Sequence, residues 1–259
     1  MELSFEQIYE VHYERLYKLA YRLMGSREEA EDILQEAFLN AYKAYPKFRN
    51  ESQVGTWLYT IVTNCAYKSM KKLKRLPVYD IAPRFDMTKE EFFEKMKYYE
   101  PVENEVMLNC MREQCLQLFL KCMPIKQRTA FVLQVLLGLS CQEVSNIMDI
   151  SAGAVKTNVY RARLRMKENM EDKCSYINPN SPCQCKNWVA YAVANNKMDM
   201  ILEIDLDKEL DYTSIFKKEM SFLERLVFLY DKYPKMNTGE DFIKKMKNII
   251  SEKSLKILS

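Results

Sequence analysis

The sequence predicts an all-α protein. It reads as two small helical domains, an N-terminal helical bundle and a C-terminal helix-turn-helix, joined by a flexible linker and followed by a helical C-terminal extension. Three observations carry this. Glycine is scarce, 5 in 259 residues, which favours helix over turn-rich β architecture. Apolar residues recur at helical spacing along most of the chain. Serine caps and proline stops punctuate that periodicity.

The first helix starts at a capping box, Ser4 to Gln7. It carries the stripe Phe5, Ile8, Leu16, Leu19 and Leu23 and ends at Gly25. A second box, Ser26 to Glu29, opens the next helix, whose inner face is Ala30, Ile33, Leu34, Ala37, Phe38 and Ala41; Pro46 stops it. A polar loop, Lys47 to Gln53, leads to a third helix from about Thr56 to Arg75, broken by Pro77. Residues 1–76 form the first expected domain. Residues 77–103 gather acids and the prolines Pro77, Pro83 and Pro101, and read as a linker holding one short helix, MTKEEFFEKM. Periodicity resumes near Val106, Pro124 resets it, and residues 104–171 make the second domain. Residues 172–259 are the extension, with a helix beginning at Trp188, Val189, Tyr191, Ala192 and Val193. Its strongest apolar segment holds Phe222, Leu223, Leu226, Phe228 and Leu229, and breaks are expected near Pro234 and Gly239.

Composition narrows the function classes. No apolar stretch approaches bilayer length, and the acidic, amphipathic start MELSFEQIYE is unlike a signal peptide. A cytoplasmic protein without membrane insertion is expected. With no export signal, the 8 cysteines do not suggest a disulfide scaffold. Cys65, Cys110, Cys115, Cys122 and Cys141 lie in helical patterns and read as small buried hydrophobes. Nothing resembles a nucleophile–base pair, and His12, the sole histidine, reads as a surface residue of the first helix, so no catalytic residue is expected. The net charge of +3 makes no case for nucleic acid by itself. The distribution of charge must make it.

It does so in LSCQEVSNIMDISAGAVKTNVYRARLRMKENM. Ser140 caps a short helix with Val144, Ile147 and Met148 on its buried side. A tight turn follows, with Asp149 where glycine is common; Asp tolerates the left-handed conformation better than most residues. Ser151 caps a longer helix whose apolar face is Val155, Val159, Ala162 and Met166. Its other side carries Lys156, Thr157, Tyr160, Arg161, Arg163, Arg165 and Lys167, with no acid between Ser151 and Lys167. A recognition helix is built this way, with residues at its start reaching base edges and cations meeting phosphates. A solvated basic face is the blander reading of the same residues.

The third helix offers a second basic stripe, Lys68, Lys71, Lys72 and Arg75, with Asn64 one turn earlier and Trp57 and Tyr59 at its start. Aromatics beside cations suit unstacked single-stranded bases. Leu58 and Val62 read as core, whereas Trp57 suits either role. The second helix shows Glu31, Asp32, Gln35 and Glu36 on its polar side, a face that chemistry alone does not assign to a partner.

AEDILQEAFLNAYKAYPKF followed by GTWLYTIVTNCAYKSMKK resembles the second region of the sigma-70 family. MPIKQRTAFVLQVLLGLSCQEVSNIMDISAGAVKTNVYRARLRM resembles its fourth region. Two motifs in this order, with no third structured region between them, resemble the extracytoplasmic-function (ECF) group over residues 1–171. The tail resembles, more loosely, a C-terminal extension marked by Pro-Cys-x-Cys. The resemblance implies a factor that binds core RNA polymerase and promoter DNA and directs transcription initiation, with an anti-sigma factor as the kind of further partner it allows. It implies that Asp32, Gln35 and Glu36 dock on the polymerase clamp. Phe48, Arg49, Asn50, Glu51 and Ser52 would capture a flipped base of the −10 element, and Trp57, Asn64, Lys68 and Lys71 would hold the melted strand. Gly153, Lys156, Thr157, Tyr160, Arg161 and Arg163 would read the −35 element. A stand-alone helix-turn-helix regulator is the competing reading; it has no use for a clamp-binding helix.

One cluster is not absorbed. CSYINPNSPCQC places Cys174, Cys183 and Cys185 together. Thiolates are ligands of Zn²⁺ and Cu(I), and four are usual for structural zinc. A fourth ligand would be another Cys, Asp172 or an exogenous group. No cofactor is required for the implied function, and metal binding, thiol sensing and three incidental cysteines stay open as readings.

Overall fold

The computed structural model describes residues 4–49, 52–71, 104–170 and 239–257, residues 174–196 apart from Tyr176, Pro179 and Pro182, and Thr88, Glu91 and Glu94. The described residues form nine helices: α1 Phe5–Met24, α2 Arg27–Ala44, α3 Val54–Met70, α4 Glu105–Lys121, α5 Ile125–Phe131, α6 Cys141–Met148, α7 Ala152–Met170, α8 Cys185–Ala194 and α9 Gly239–Ile257. A 3-10 turn, Tyr45–Lys47, follows α2, and a π-helical stretch, Val132–Leu136, follows α5. The one backbone pairing among them outside the helices and turns is an isolated bridge between Cys174 and Cys183. No described helix is long and apolar enough to cross a membrane.

Local chemistry sets the helix ends. Ser4 accepts from the Gln7 N–H, and the Gln7 side chain returns the bond to the Ser4 N–H at 2.9 Å, so the first capping box is complete. Gly25 closes α1 in the left-handed region, φ 86°, where a side chain would be strained. The second expected box is only half made. Ser26 accepts from the Glu29 N–H at 3.2 Å, but the Glu29 carboxylate takes the Ser26 hydroxyl at 3.0 Å and leaves the cap N–H. Helix α3 begins two residues before the expected Thr56 and reaches Met70, with Lys71 as its cap. Within the stretch expected to hold the linker helix, the Thr88 N–H donates to the Glu91 carboxylate at 2.8 Å and the Glu91 N–H donates to the Thr88 hydroxyl at 3.2 Å. Lys72, Arg75, the apolar segment 222–229 and Pro234 lie outside the described residues.

The compact units cross the linear divisions expected from the sequence. One unit takes residues 1–73, 132–155 and 236–259; the other takes 74–131 and 156–235. In the first, α1, α2 and α3 pack on one another as a bundle. Its centre holds Tyr9, Leu16, Leu19, Leu23, Leu34, Phe38 and Leu58, all nearly or wholly buried. Burying side chains of this size stabilises by about 1.5–3 kcal/mol each. Two further pieces of the same unit lean on this bundle. Helix α6 packs against α3, and α9 packs against α1, placing Phe242, Ile243 and Met246 in the core. The Phe242 ring lies 4.7 Å from Tyr13, 6.0 Å from Tyr9 and 6.2 Å from Phe38.

In the second unit α8 packs against α4. Leu108, Met111, Leu116 and Leu120 are buried on α4, and Val189, Ala190, Tyr191 and Ala192 on α8. The Arg128 guanidinium donates to the Lys121 carbonyl at 2.7 Å, satisfying a backbone group at the end of α4.

Candidate nucleic-acid interface

The helix-turn-helix is held by side-chain and backbone bonds at its turn. Ser140 and Glu143 form a full capping box at the start of α6. Asp149 ends that helix at φ 50°, ψ 53°, the left-handed conformation its place in the sequence requires, and its N–H donates to the Ser145 carbonyl. The Ser145 hydroxyl donates to the Ile150 carbonyl, and the Cys141 thiol reaches the Ala152 carbonyl at 3.5 Å. Ser151 then accepts from the Ala154 N–H at 3.2 Å and opens α7.

Helix α7 has the two faces the sequence predicts. Val155, Val159, Ala162 and Met166 are buried. Lys156, Thr157, Arg161, Arg163, Arg165 and Lys167 are exposed, and Tyr160 is 66% exposed. Gly153 is exposed as well, and a Cβ built there would meet only the Ser151 hydroxyl, at 3.9 Å. Packing does not demand glycine at this position.

The loop before α3 gathers aromatics. The Phe48 and Trp57 rings lie 4.8 Å apart, with Tyr45 6.4 Å from Phe48 and 6.3 Å from Trp57. Trp57 is half-buried, so its ring serves as packing partner and partly open surface together. Arg49 and Ser52 are exposed, and Asn50 and Glu51 lie outside the described residues. Asn64, Lys68 and Lys71 are exposed along α3. On α2, Asp32 and Glu36 are exposed and Gln35 is half-exposed, opposite a buried face of Ala30, Ile33, Leu34 and Ala37. Lys68 and Glu36 pair at 3.9 Å across α3 and α2. Both ends are in water, so this pair contributes little to stability.

Three features escape sequence reading. His12 is half-buried rather than on the surface: its ring sits over Gly55, where a Cβ would fall 3.0 Å from the imidazole carbon Cε1. Burial, and then the nearby Arg15 charge, lower its pKa below the ordinary 6.5. Arg15 donates to the Leu137 carbonyl at 2.8 Å, a bond spanning 122 residues of chain. Phe242 completes an aromatic core more than 200 residues away in sequence. Periodicity marks faces, not partners, so none of these contacts could be assigned beforehand.

The cysteines divide differently from the expectation. Cys65 and Cys110 are buried, but Cys115, Cys122 and Cys141 are only half-buried. Cys174 and Cys183 are bridge partners and Cys185 opens α8. Asp172 lies outside the described residues. Among the described residues, no three His, Cys, Asp or Glu side chains are grouped so as to hold a metal ion as they stand.

Known families match both helical regions of the chain. The family model for Sigma-70 region 2 matches residues 8–76, and that for Sigma-70, region 4 matches residues 113–166. The ECF RNA polymerase sigma factor SigW of Bacillus subtilis is 31% identical over 180 residues, spanning 65% of this chain and 90% of SigW. The RNA polymerase sigma-H factor of Pseudomonas aeruginosa is 33% identical, over 58% of this chain and 77% of that one. The ECF RNA polymerase sigma-E factor of Escherichia coli K12 is 33% identical, over 52% and 70%. Among solved structures, RpoE in complex with the anti-sigma factor NepR from Bartonella quintana matches at 22% identity and a TM-score of 0.45, covering 63% of this chain and 94% of that one. The presence of region 2 removes the reading as a stand-alone helix-turn-helix regulator. Both regions are matched in order, and nearly all of SigW is covered: this chain belongs to the sigma-70 family, as a sigma factor of its extracytoplasmic-function group.

Proposed function

We propose that α7 reads the −35 element through Gly153, Lys156, Thr157, Tyr160, Arg161 and Arg163, while the α2–α3 module engages polymerase and the −10 element. The observation that carries this is the exposed cationic side of α7, free of acids up to Lys167, behind a turn set by the Ser140–Glu143 box and the left-handed Asp149. Bare Gly153 near its start leaves room for the DNA backbone to approach closely. Asp32, Gln35 and Glu36 form the polymerase-docking face. Phe48, Arg49, Asn50, Glu51 and Ser52 receive the flipped −10 base, and Trp57, Asn64, Lys68 and Lys71 hold the opened strand.

In this reading catalysis belongs to the polymerase and the factor supplies binding free energy. Base capture and phosphate contacts offset the unpairing of the −10 region. The work is done in the cytoplasm, where the polymerase and promoter are, and an anti-sigma factor belongs to the same family reading. The Pro-Cys-x-Cys extension lies beyond the matched regions.

Lys156→Ala and Arg161→Ala test the assignment. Each should weaken duplex binding and lower the slope of log affinity against log salt by about 0.9 for each phosphate left without its cation. Core polymerase binding should be unchanged. Equal loss of both activities would show that α7 is not the reading helix.

A further inference from the structure

Part of the fourth sigma region rests on the second within one compact unit. The region 2 match covers residues 8–76 and the region 4 match covers residues 113–166. Residues 132–155 nevertheless belong to the same compact unit as residues 1–73. Helix α6, the first helix of the helix-turn-helix, packs on α3, and the π-helical stretch Val132–Leu136 packs on α1. Arg15 of α1 fastens the end of that stretch, donating to the Leu137 carbonyl at 2.8 Å. On α3, Tyr59 and Thr63 stand one turn apart and are buried, and neither hydroxyl has a hydrogen-bond partner among the described residues. Burial raises the Tyr59 pKa, with Arg15 opposing and Glu143 of α6 adding, which sets this hydroxyl beside the docked segments. A core that never opens satisfies its buried hydroxyls, whereas an interface that separates returns them to water.

This packing is too short for a promoter. The −10 and −35 elements lie about 25 base pairs apart, or about 85 Å of duplex at about 3.4 Å per pair. Gly153 lies five residues past the end of α6, at most about 17 Å of chain. Helix α6 is about 12 Å long, and packed helices lie about 8–10 Å apart. Gly153 therefore stays within about 40 Å of the part of α3 that α6 covers.

We propose that α6 docked on α3, with Arg15 bonded to the Leu137 carbonyl, is a latch that holds the unbound factor closed and opens when both promoter elements are engaged. The proposal rests on the reading above, in which α3 takes the −10 strand and α7 the −35 duplex. Residues 72–103, between α3 and α4, supply up to about 100 Å of chain, enough for region 4 to move away with both helices intact. The closed form competes with the promoter and lowers the apparent affinity by the fraction of chains that are open. Two groups set that fraction in opposite directions. The Arg15 bond favours the closed form, and the unpartnered Tyr59 hydroxyl favours the open one.

The test is fluorescence energy transfer on the full chain. Dyes are carried by unnatural residues at the exposed Glu10 of α1 and Gln142 of α6, so that the 8 cysteines stay unlabelled. Expected is high transfer in the free chain and its loss in the polymerase holoenzyme on a promoter fragment selected by that holoenzyme from genomic DNA. Arg15→Ala should raise the open-to-closed ratio about three- to tenfold, the worth of one partly exposed hydrogen bond, and speed promoter-complex formation. Tyr59→Phe deletes a hydroxyl that only the open form can bond to water, and should lower the same ratio and slow the same step. The wild-type transfer decides the matter without any substitution: low transfer in the free chain, or transfer that persists on the promoter, would overturn the proposal. So would shifts of one sign in the two variants, or no shift in either. Failure of the reading of α7 would show elsewhere, as an unaltered salt slope in Lys156→Ala, and would leave the free-chain transfer in place.

Discussion

Removing the Phe242 ring should destabilise a bundle whose other members lie in the first 70 residues. Phe242 is 7% exposed and meets three rings at once, Tyr13 at 4.7 Å, Tyr9 at 6.0 Å and Phe38 at 6.2 Å. A buried Phe→Ala substitution costs about 3–5 kcal/mol, the lower end applying where neighbours can relax into the space. Phe242 sits near the start of α9, whose contacts with the bundle are mainly to α1, so relaxation is available and a loss of about 3 kcal/mol is expected. For a chain of this size that lowers Tm by roughly 6–12 °C. Urea and thermal unfolding of Phe242→Ala measure it, with Lys244→Ala on the exposed side of α9 as the silent control. A loss below about 1 kcal/mol would refute the reasoning, because an aromatic truncated in a packed core cannot cost so little. It would mean that α9 is not held on the bundle in solution. The expected loss would instead make the C-terminal helix a structural member of the region 2 bundle.

Gly55→Ala opposes two effects: alanine favours the helix by about 1 kcal/mol, but its methyl meets the His12 ring at 3.0 Å and overpacking costs about 1–3 kcal/mol. A net loss is expected, and adding His12→Ala should convert it to a gain in a double-mutant cycle; additivity of the two would count against the contact. His12 also sets a pH dependence. Its folded pKa lies below 6.5, so the folded state refuses a proton that the unfolded chain accepts. The stability involved is fully present above pH 6.5 and is lost as pH falls from there toward the folded pKa. As the sole histidine, it gives one imidazole titration by NMR, which should fall below 6.5. Urea midpoints should decline from pH 7 to 5 less steeply in His12→Gln. A titration at or above 6.5 would refute the burial.

Caps, faces and turns were legible in the sequence because they are set by neighbours within four residues. The Ser4–Gln7 box, the Ser140 and Ser151 caps, the left-handed Asp149 and the buried Val155–Val159–Ala162–Met166 stripe all follow from side chains next to the backbone groups they serve. The division of α7 into an apolar and a cationic side, and with it the site proposed for duplex DNA, belongs to this class. Where a local group had two options, the sequence was less decisive: the Ser26 hydroxyl both accepts and donates, so the second box closed on the side chain rather than on the cap N–H.

Partners across the chain were not legible, because a helical period says which way a residue faces and not what it meets. His12 looked like a surface residue until Gly55 on α3 was placed beneath its ring. Phe242 carried no signal of the Tyr9, Tyr13 and Phe38 rings that receive it. By itself the sequence determined an all-α chain, two sigma regions in order and a helix with a cationic side. Tertiary structure alone decided that the last helix completes the first bundle, since this depends on non-local packing that local spacing cannot encode.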